Sequence, residues 1–343
     1  MIELLNTLYV TTQQAYIHLD HDTLLIEVQG ETRLRIPLIH LGGVVCFGDV
    51  LVSPALIHRC ADDGRFLVWL DRNGRFKARM EGRCGGNVLL RRAQHLALSS
   101  ELRPLVIASA IVAAKVQNGR QVLLRAAREA DSAPDETMLR DAASGLTAAL
   151  DRMRSARNLN EVRGAEGEAA RTYFGAFDAM VRVDRAIFAL DGRARRPPRN
   201  PMNALISFLS ALLRTDCEAA LQGVGLDPQV GYLHALRPGR PALALDLMEE
   251  LRAPVVDRLA LTLVNRRQVR PGEFVEHLGG ATHLGDEARR RVITAYQERK
   301  QEEVFHQVLD RKMPLGLVPH VQARLLARHL RGDADVYVPY VHR

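Results

Sequence analysis

The spacing of the hydrophobic residues changes once along this chain, near Gly85-Gly86, and that change calls for two differently built parts. From Leu4 to about Glu81, short runs rich in Val, Ile, Leu, Thr and Tyr are broken by turn residues, which is the pattern of strands. Ala15 to Val28, Arg33 to Leu38, Gly42 to Val50, Phe66 to Asp71 and Arg75 to Glu81 read this way, with one short helix expected from Pro54 to Asp63. Asn73-Gly74 predicts a type I′ hairpin turn, because both residues accept positive φ. From Val88 to about Arg331 the apolar residues recur instead at helical spacing, in segments separated by Asp, Pro and Gly. The expected fold is therefore α+β. A small N-terminal β-rich domain over residues 1–85 precedes a larger all-helical domain over residues 86–343. A length of 343 residues, beyond the size at which one core usually keeps growing, independently favours two domains.

Two segments of the second part cannot continue the helical pattern. Asp191 to Pro201 carries three prolines and four arginines and is expected to be a basic loop. Asp333 to Arg343 reads as a tail with a short extended segment. No apolar run approaches the ~20 residues that span a bilayer, and no signal-peptide pattern opens the chain, so a cytoplasmic location is expected. Cys46, Cys60, Cys84 and Cys217 are too widely spaced for a zinc site or a disulfide framework.

The formal charge of +7 favours a polyanionic partner. Among the 47 basic residues only Lys77, Lys115, Lys300 and Lys312 are lysines, a bias that a GC-rich genome would also produce, so local clusters carry more weight than the total.

Three segments hold residues suited to chemistry. Asn158 to Met180 predicts a helix with Asn158 as N-cap and Glu161 completing a capping box. Its inward stripe is Val162, Glu166, Ala169 or Ala170, Tyr173 and Phe177, so Glu166 is a carboxylate on an apolar face. Such a group is costly unless it is paired or binds a metal, and a buried salt bridge to an arginine is the structural alternative. Glu168 falls on the other face with Glu161 and Arg171 and is expected to be solvated. His234 stands in Gly231-Tyr232-Leu233-His234, between a Gly-rich connection and Arg237-Pro238-Gly239-Arg240-Pro241, where a ring nitrogen can meet a metal or a phosphate. Ala242 to Arg252 predicts a short helix in which Asp246 faces the same way as Glu249 and Glu250. Periodicity does not choose between the two glutamates, and an acidic patch paired with Arg252 or Arg258 is the alternative. Carboxylates with one imidazole and no cysteine suit Mn2+ or Mg2+ better than structural zinc. With arginines nearby, Arg163 one helical turn before Glu166 and Arg237 and Arg240 flanking His234, phosphodiester chemistry is the natural class.

The wording of these segments resembles one family. Arg163 to Phe174 (RGAEGEAARTYF), Arg195 to Leu205 (RRPPRNPMNAL) and Gly231 to Arg252 (GYLHALRPGRPALALDLMEELR) are similar, in order and spacing over roughly ninety residues, to the CRISPR-associated adaptation integrase, the large catalytic protein of the spacer-acquisition pair. The phrases RRPP, RPGRP and LDLMEE are similar to its subtype I-C branch.

The resemblance implies a small β domain before a helical catalytic domain, with Glu166, His234 and Glu249 as metal ligands and catalytic residues, and Asp246 as a supporting acid. It implies a metal-dependent endonuclease and integrase in which the 3′-hydroxyl of a short DNA fragment attacks a phosphodiester at the repeat edge, with activity falling at low pH as His234 protonates. It further implies a homodimer, with the β domain as the expected dimer surface, and a small CRISPR-associated partner meeting the C-terminal helices. Arg163, Arg193, Arg195, Arg196, Arg199, Arg237, Arg240, Arg266 and Arg267 are the candidate contacts to double-stranded and repeat DNA. Two other readings compete: a structure-selective nuclease acting on branched DNA in repair, whose site would look the same, and a non-catalytic DNA-binding dimer whose acids are structural.

Overall fold

The computed structural model describes residues 5–82, 87–190, 198–277 and 279–342. It divides into two compact units, Met1–Gly86 and Asn87–Arg343. Gly85-Gly86 itself lies outside the described residues.

The first unit contains two four-stranded sheets. One is formed by β1 (Asn6–Val10), β5 (Leu41–Phe47), β7 (Phe66–Leu70) and β8 (Phe76–Arg79), in that spatial order. The other has the order β4 (Glu31–Pro37), β3 (Thr23–Val28), β2 (Ala15–Asp20) and β6 (Val50–Val52). Strands β1, β5 and β7 run parallel, as do β2 and β6, and the remaining neighbours are antiparallel. The core draws Ile17, Leu24 and Ile26 from one sheet and Val44, Cys46 and Leu67 from the other, with Leu56 and Cys60 from α1 (Pro54–Asp62). That helix starts where Ser53 accepts from the Leu56 amide at 3.2 Å and Pro54 presets the first turn.

The β7–β8 turn departs from the expected type I′. Gly74 takes φ of 82° while Asn73 stays on the negative side. The Asp71 side chain accepts from the Asn73 and Arg75 amides, both at 2.9 Å, and the Gly74 amide donates to the Asp71 carbonyl at 3.0 Å. The Asp71 carboxylate thus organises the backbone that Asn73 was expected to bend.

The second unit is chiefly helical: α2 (Val88–Ala97), α3 (Leu102–Arg128), α4 (Ala133–Arg154), α5 (Leu159–Gly175), α6 (Arg185–Phe188), α7 (Pro201–Val224), α8 (Ala242–Leu251), α9 (Arg258–Asn265), α10 (Asp286–Gln301) and α11 (Val318–Arg331). It also carries two short hairpins that periodicity did not reveal, β9 (Phe274–His277) with β10 (Ala281–Leu284), and β11 (Glu303–His306) with β12 (Arg311–Pro314). Strands of four residues are too short to display an alternation. Between α8 and α9 the residues Arg252–Asp257 form a π-helical turn around Pro254, which cannot donate in the helical ladder. Among the described residues no single helix is long and apolar enough to cross a membrane.

The tail is the larger surprise. Tyr337 and Tyr340 are buried, and the segment is pinned inside the helical unit. Asn118 of α3 donates to the Tyr340 carbonyl at 3.0 Å and accepts from the His342 amide at 2.7 Å. Glu250 accepts from the Tyr340 amide at 2.7 Å and from the Tyr337 hydroxyl.

Candidate metal centre

The α5 helix begins as its sequence requires. Asn158 accepts from the Asn160 and Glu161 amides at 3.1 and 3.0 Å. Glu161 reaches back to the Arg157 amide at 2.7 Å, one residue before the position that a standard capping box would use. Val162, Ala169 and Tyr173 are buried on the inward stripe, with Glu166 half-buried among them, whereas Glu168 is exposed and paired with Arg152 at 2.8 Å. The helix ends at Gly175, and Phe177–Met180 continues as a 3-10 turn.

Glu166 is paired, though not with the arginine of the structural alternative. Its partner is Lys115 of α3, whose ammonium contacts Glu166 Oε1 and also lies 2.8 Å from Glu249 Oε2. Glu249 Oε2 is buried, and the Lys115 ammonium is its one polar partner among the described residues. Glu249 Oε1 lies 4.0 Å from His234 Nε2 and 3.6 Å from Arg252 Nη1. Burial alone would raise the Glu249 pKa, but the Lys115 and Arg252 charges outweigh it and hold the carboxyl down at about 2.

His234 is fixed by Asp246. The Asp246 carboxylate, wholly buried, accepts from the amides of Tyr232 at 2.6 Å, Leu233 at 3.0 Å and His234 at 3.0 Å, and lies 2.7 Å from His234 Nδ1. An ionised Asp246 makes Nδ1 the protonated nitrogen, which leaves the lone pair on Nε2, the nitrogen on the Glu249 side. The approach is that close because Gly231 has no side chain: a Cβ there would meet the Ala242 carbonyl carbon at 2.6 Å and Asp246 Oδ2 at 2.7 Å. Arg163 ties the loop from the other side, donating twice to the Leu233 carbonyl at 2.9 and 2.7 Å. That guanidinium is engaged with the backbone rather than held free for a phosphate.

The two glutamates that periodicity could not separate face different surroundings. Glu249 looks toward Lys115, His234 and Glu166, whereas Glu250 looks toward Tyr337, Gln322 and the Tyr340 amide. The acidic-patch alternative is realised only in part, through the Arg252 contact to Glu249.

As they stand, no three His, Cys, Asp or Glu side chains among the described residues converge closely enough to hold a metal ion. The ammonium of Lys115 stands between two of the expected ligands. The donor chemistry nevertheless fits a hard divalent cation: two carboxylates, one with a buried oxygen that meets only the Lys115 ammonium, and an imidazole oriented through its other nitrogen. Sequence reasoning missed Lys115, although its place in the apolar run of α3, in line with Ile107, Ile111 and Val122, is the signal that drew attention to Glu166. Of the arginine candidates, Arg199, Arg237, Arg266 and Arg267 are exposed and Arg240 is half-buried, while Arg193, Arg195 and Arg196 lie outside the described residues.

The sequence matches the family model described as CRISPR associated protein Cas1 over residues 8–298. It is 58% identical over 340 residues to a CRISPR-associated endonuclease Cas1 of Moorella thermoacetica, covering 99% of each chain. A second such endonuclease, from Rhodospirillum rubrum, is 51% identical over 344 residues, again with 99% of each covered. Among solved structures, a Cas1 protein from Thermotoga maritima superposes with a TM-score of 0.81 at 25% identity, over 98% of this chain and 99% of that one.

Proposed function

The chain belongs to the Cas1 family of CRISPR-associated endonucleases, and from that premise we propose that it is the DNA-joining enzyme of spacer acquisition, working at Glu166, His234 and Glu249. The observation that carries this reading is the pair of carboxylates from α5 and α8 that share one ammonium beside an imidazole oriented by Asp246.

Glu166, His234 and Glu249 would hold Mn2+ or Mg2+, which when bound supplies Lewis-acid stabilisation of charge on the phosphoryl oxygens. The chain's own residues do the rest. Asp246 selects the tautomer of the neutral His234 ring that carries its proton on Nδ1, and with Arg163 it holds the loop in register. Arg237 and Arg240, beside that loop, offer guanidinium groups to DNA phosphates. The 3′-hydroxyl of a DNA fragment attacks a repeat-edge phosphodiester. A new oxygen–phosphorus bond forms as the old one breaks, and the displaced 3′ oxygen leaves as a hydroxyl. One ester is exchanged for another, and no covalent intermediate with the protein is required.

The β-rich unit is the dimer surface in this reading, and the C-terminal helices meet the small CRISPR-associated partner. The test incubates the full chain and that partner with a supercoiled repeat plasmid and a fragment bearing free 3′-hydroxyls in Mn2+ or Mg2+. Joined product that disappears in Glu249→Gln is expected. Cleavage without joining, under conditions that permit assembly, would instead make the protein a nuclease of branched DNA.

A further inference from the structure

We propose that Lys115 is the built-in counter-ion of the metal centre, occupying the cation position until a divalent ion displaces it. The inference rests on the reading of Glu166, His234 and Glu249 as ligands. Its own observation is that the ammonium touches Glu166 Oε1 from α5 and lies 2.8 Å from Glu249 Oε2 from α8, so one charge bridges the two carboxylates, while Arg252 stands only beside Glu249. Their side chains are 28% and 4% exposed, and that of Lys115 is 17% exposed, so water screens the three charges poorly.

Two features set this apart from an ordinary structural pair. The residue is one of only four lysines in an arginine-rich chain, and a compact point charge fits between two oxygens where a planar guanidinium is a larger, forked group. Glu249 Oε2 is also buried, with no donor from any described residue other than this ammonium. A buried carboxylate oxygen whose one partner is a single positive charge is a contact that a doubly charged cation replaces with gain. A divalent ion that enters between Glu166 and Glu249 meets the Lys115 ammonium there, and the two positive charges repel whichever carboxylate oxygens the ion takes. Lys115 is therefore a positioning residue: it keeps the two acids close together when no metal is bound, and its charge opposes metal entry.

This assigns a sign that a merely structural lysine would not have. Removing the charge removes both a competitor and a repulsion, so Lys115→Gln should bind Mn2+ more tightly, by about tenfold on a conservative share of the attraction between unit charges at this spacing. The metal-free variant should unfold at lower temperature than the parent, because the two carboxylates then lose the charge that bridges them and only Glu249 keeps a cation, Arg252, beside it. Saturating Mn2+ should restore most of that loss.

The experiment is calorimetric titration of Mn2+ into the full chain without DNA, with thermal unfolding followed in parallel, for the parent, Lys115→Gln, Lys115→Arg and Glu249→Gln. Tighter binding by Lys115→Gln, with Lys115→Arg binding no tighter than the parent, is the expected result. Equal or weaker binding by Lys115→Gln while Glu249→Gln loses Mn2+ overturns the counter-ion role and leaves the ligand reading standing. Unchanged Mn2+ affinity in Glu249→Gln overturns the ligand reading itself. Should Lys115→Gln fold only when Mn2+ is present, that dependence supports the proposal, and failure to fold at saturating Mn2+ refutes it.

Discussion

Replacing Asp246 by Asn should loosen the candidate centre without touching any of its proposed ligands. The carboxylate is wholly buried and faces four nitrogens: the amides of Tyr232, Leu233 and His234, and His234 Nδ1. Its two oxygens share these contacts, Oδ2 with Tyr232 and Leu233 and Oδ1 with both His234 nitrogens. An asparagine keeps one acceptor oxygen and turns an NH2 group toward the other two donors, so about half the contacts become donor against donor. With roughly 1.5–3 kcal/mol for each hydrogen bond to a charged acceptor, and the cost of buried donors left unsatisfied, the loss comes to about 3–5 kcal/mol. In a unit of this size that lowers the midpoint of thermal unfolding by about 6–12 °C. The Mn2+ affinity should also fall, by about 10–100-fold, because the imidazole loses the group that fixes its tautomer and direction. Differential scanning calorimetry and Mn2+ titration of Asp246→Asn measure the two effects. A variant that keeps both its unfolding temperature and its Mn2+ affinity would refute the idea that Asp246 organises the His234 loop.

Gly231→Ala should be damaging for a steric reason, since its Cβ would lie 2.8 Å from the Leu243 amide nitrogen as well as against Ala242 and Asp246; a loss of at least ~2 kcal/mol in urea unfolding is expected. Glu250→Gln should lower stability by about 1–3 kcal/mol yet retain metal-dependent cleavage, the reverse of Glu249→Gln, and paired cleavage and unfolding assays separate them. His342 is held down at about 4 by burial and then by the Arg258, Arg299 and Arg125 charges. The unfolded chain therefore takes up a proton near pH 6.5 that the folded one refuses until about 4, so stability is full above ~6.5 and falls as pH drops through that window, by at most ~3 kcal/mol. Unfolding midpoints across this range should show the slope in the parent and a flatter profile in His342→Gln. Arg237→Ala and Arg240→Ala should each weaken DNA binding without regard to sequence and reduce the slope of log affinity against log salt by about 1, read by anisotropy at several salt concentrations.

How far the sequence disclosed this molecule depended on how local each signal was. Most strands of the first unit were legible as β-branched and aliphatic runs broken by turn residues, although Ala15 to Val28, read as one run, is the hairpin of β2 and β3, and α1 was visible through Ser53 and Pro54. Glu166 was legible because the helix around it repeats an apolar stripe long enough to make one carboxylate stand out. Lys115 carried the same kind of signal in α3, but lysine in a basic chain attracts less attention than an acid among leucines. Asp246 and Glu249 could be placed on one helix and Arg252 named beside them, but Lys115 and the His234 loop, 134 and 12 positions away, could not be read as their partners. The buried tail was the least legible. Val336 and Val338 are exposed while Tyr337 and Tyr340 are buried, so the segment has no regular period, and its hydrogen bonds run to Asn118, Glu250 and Gln322 on three separate helices.

The adjacent pair Glu249 and Glu250 shows why neither composition nor motif alone can identify such a centre. Both side chains are buried on the same helix, and successive helical positions point about 100° apart. On one side the first meets two full positive charges, Lys115 and Arg252, and its pKa falls to about 2. On the other side the second meets only neutral donors, a phenol, an amide side chain and a backbone amide; burial prevails over them and its pKa rises to about 7. Only the first therefore remains a firm anion at neutral pH, which is the state a hard divalent cation requires of its ligand. The second uses its oxygens to bind the tail, and through Asn118 the same tail is tied to α3, one turn beyond Lys115. The helix that carries Glu249 and the helix that carries Lys115 are thus fastened to each other twice, directly where Asn118 donates to the Glu250 carbonyl at 2.7 Å and through the tail that the Glu250 carboxyl group binds.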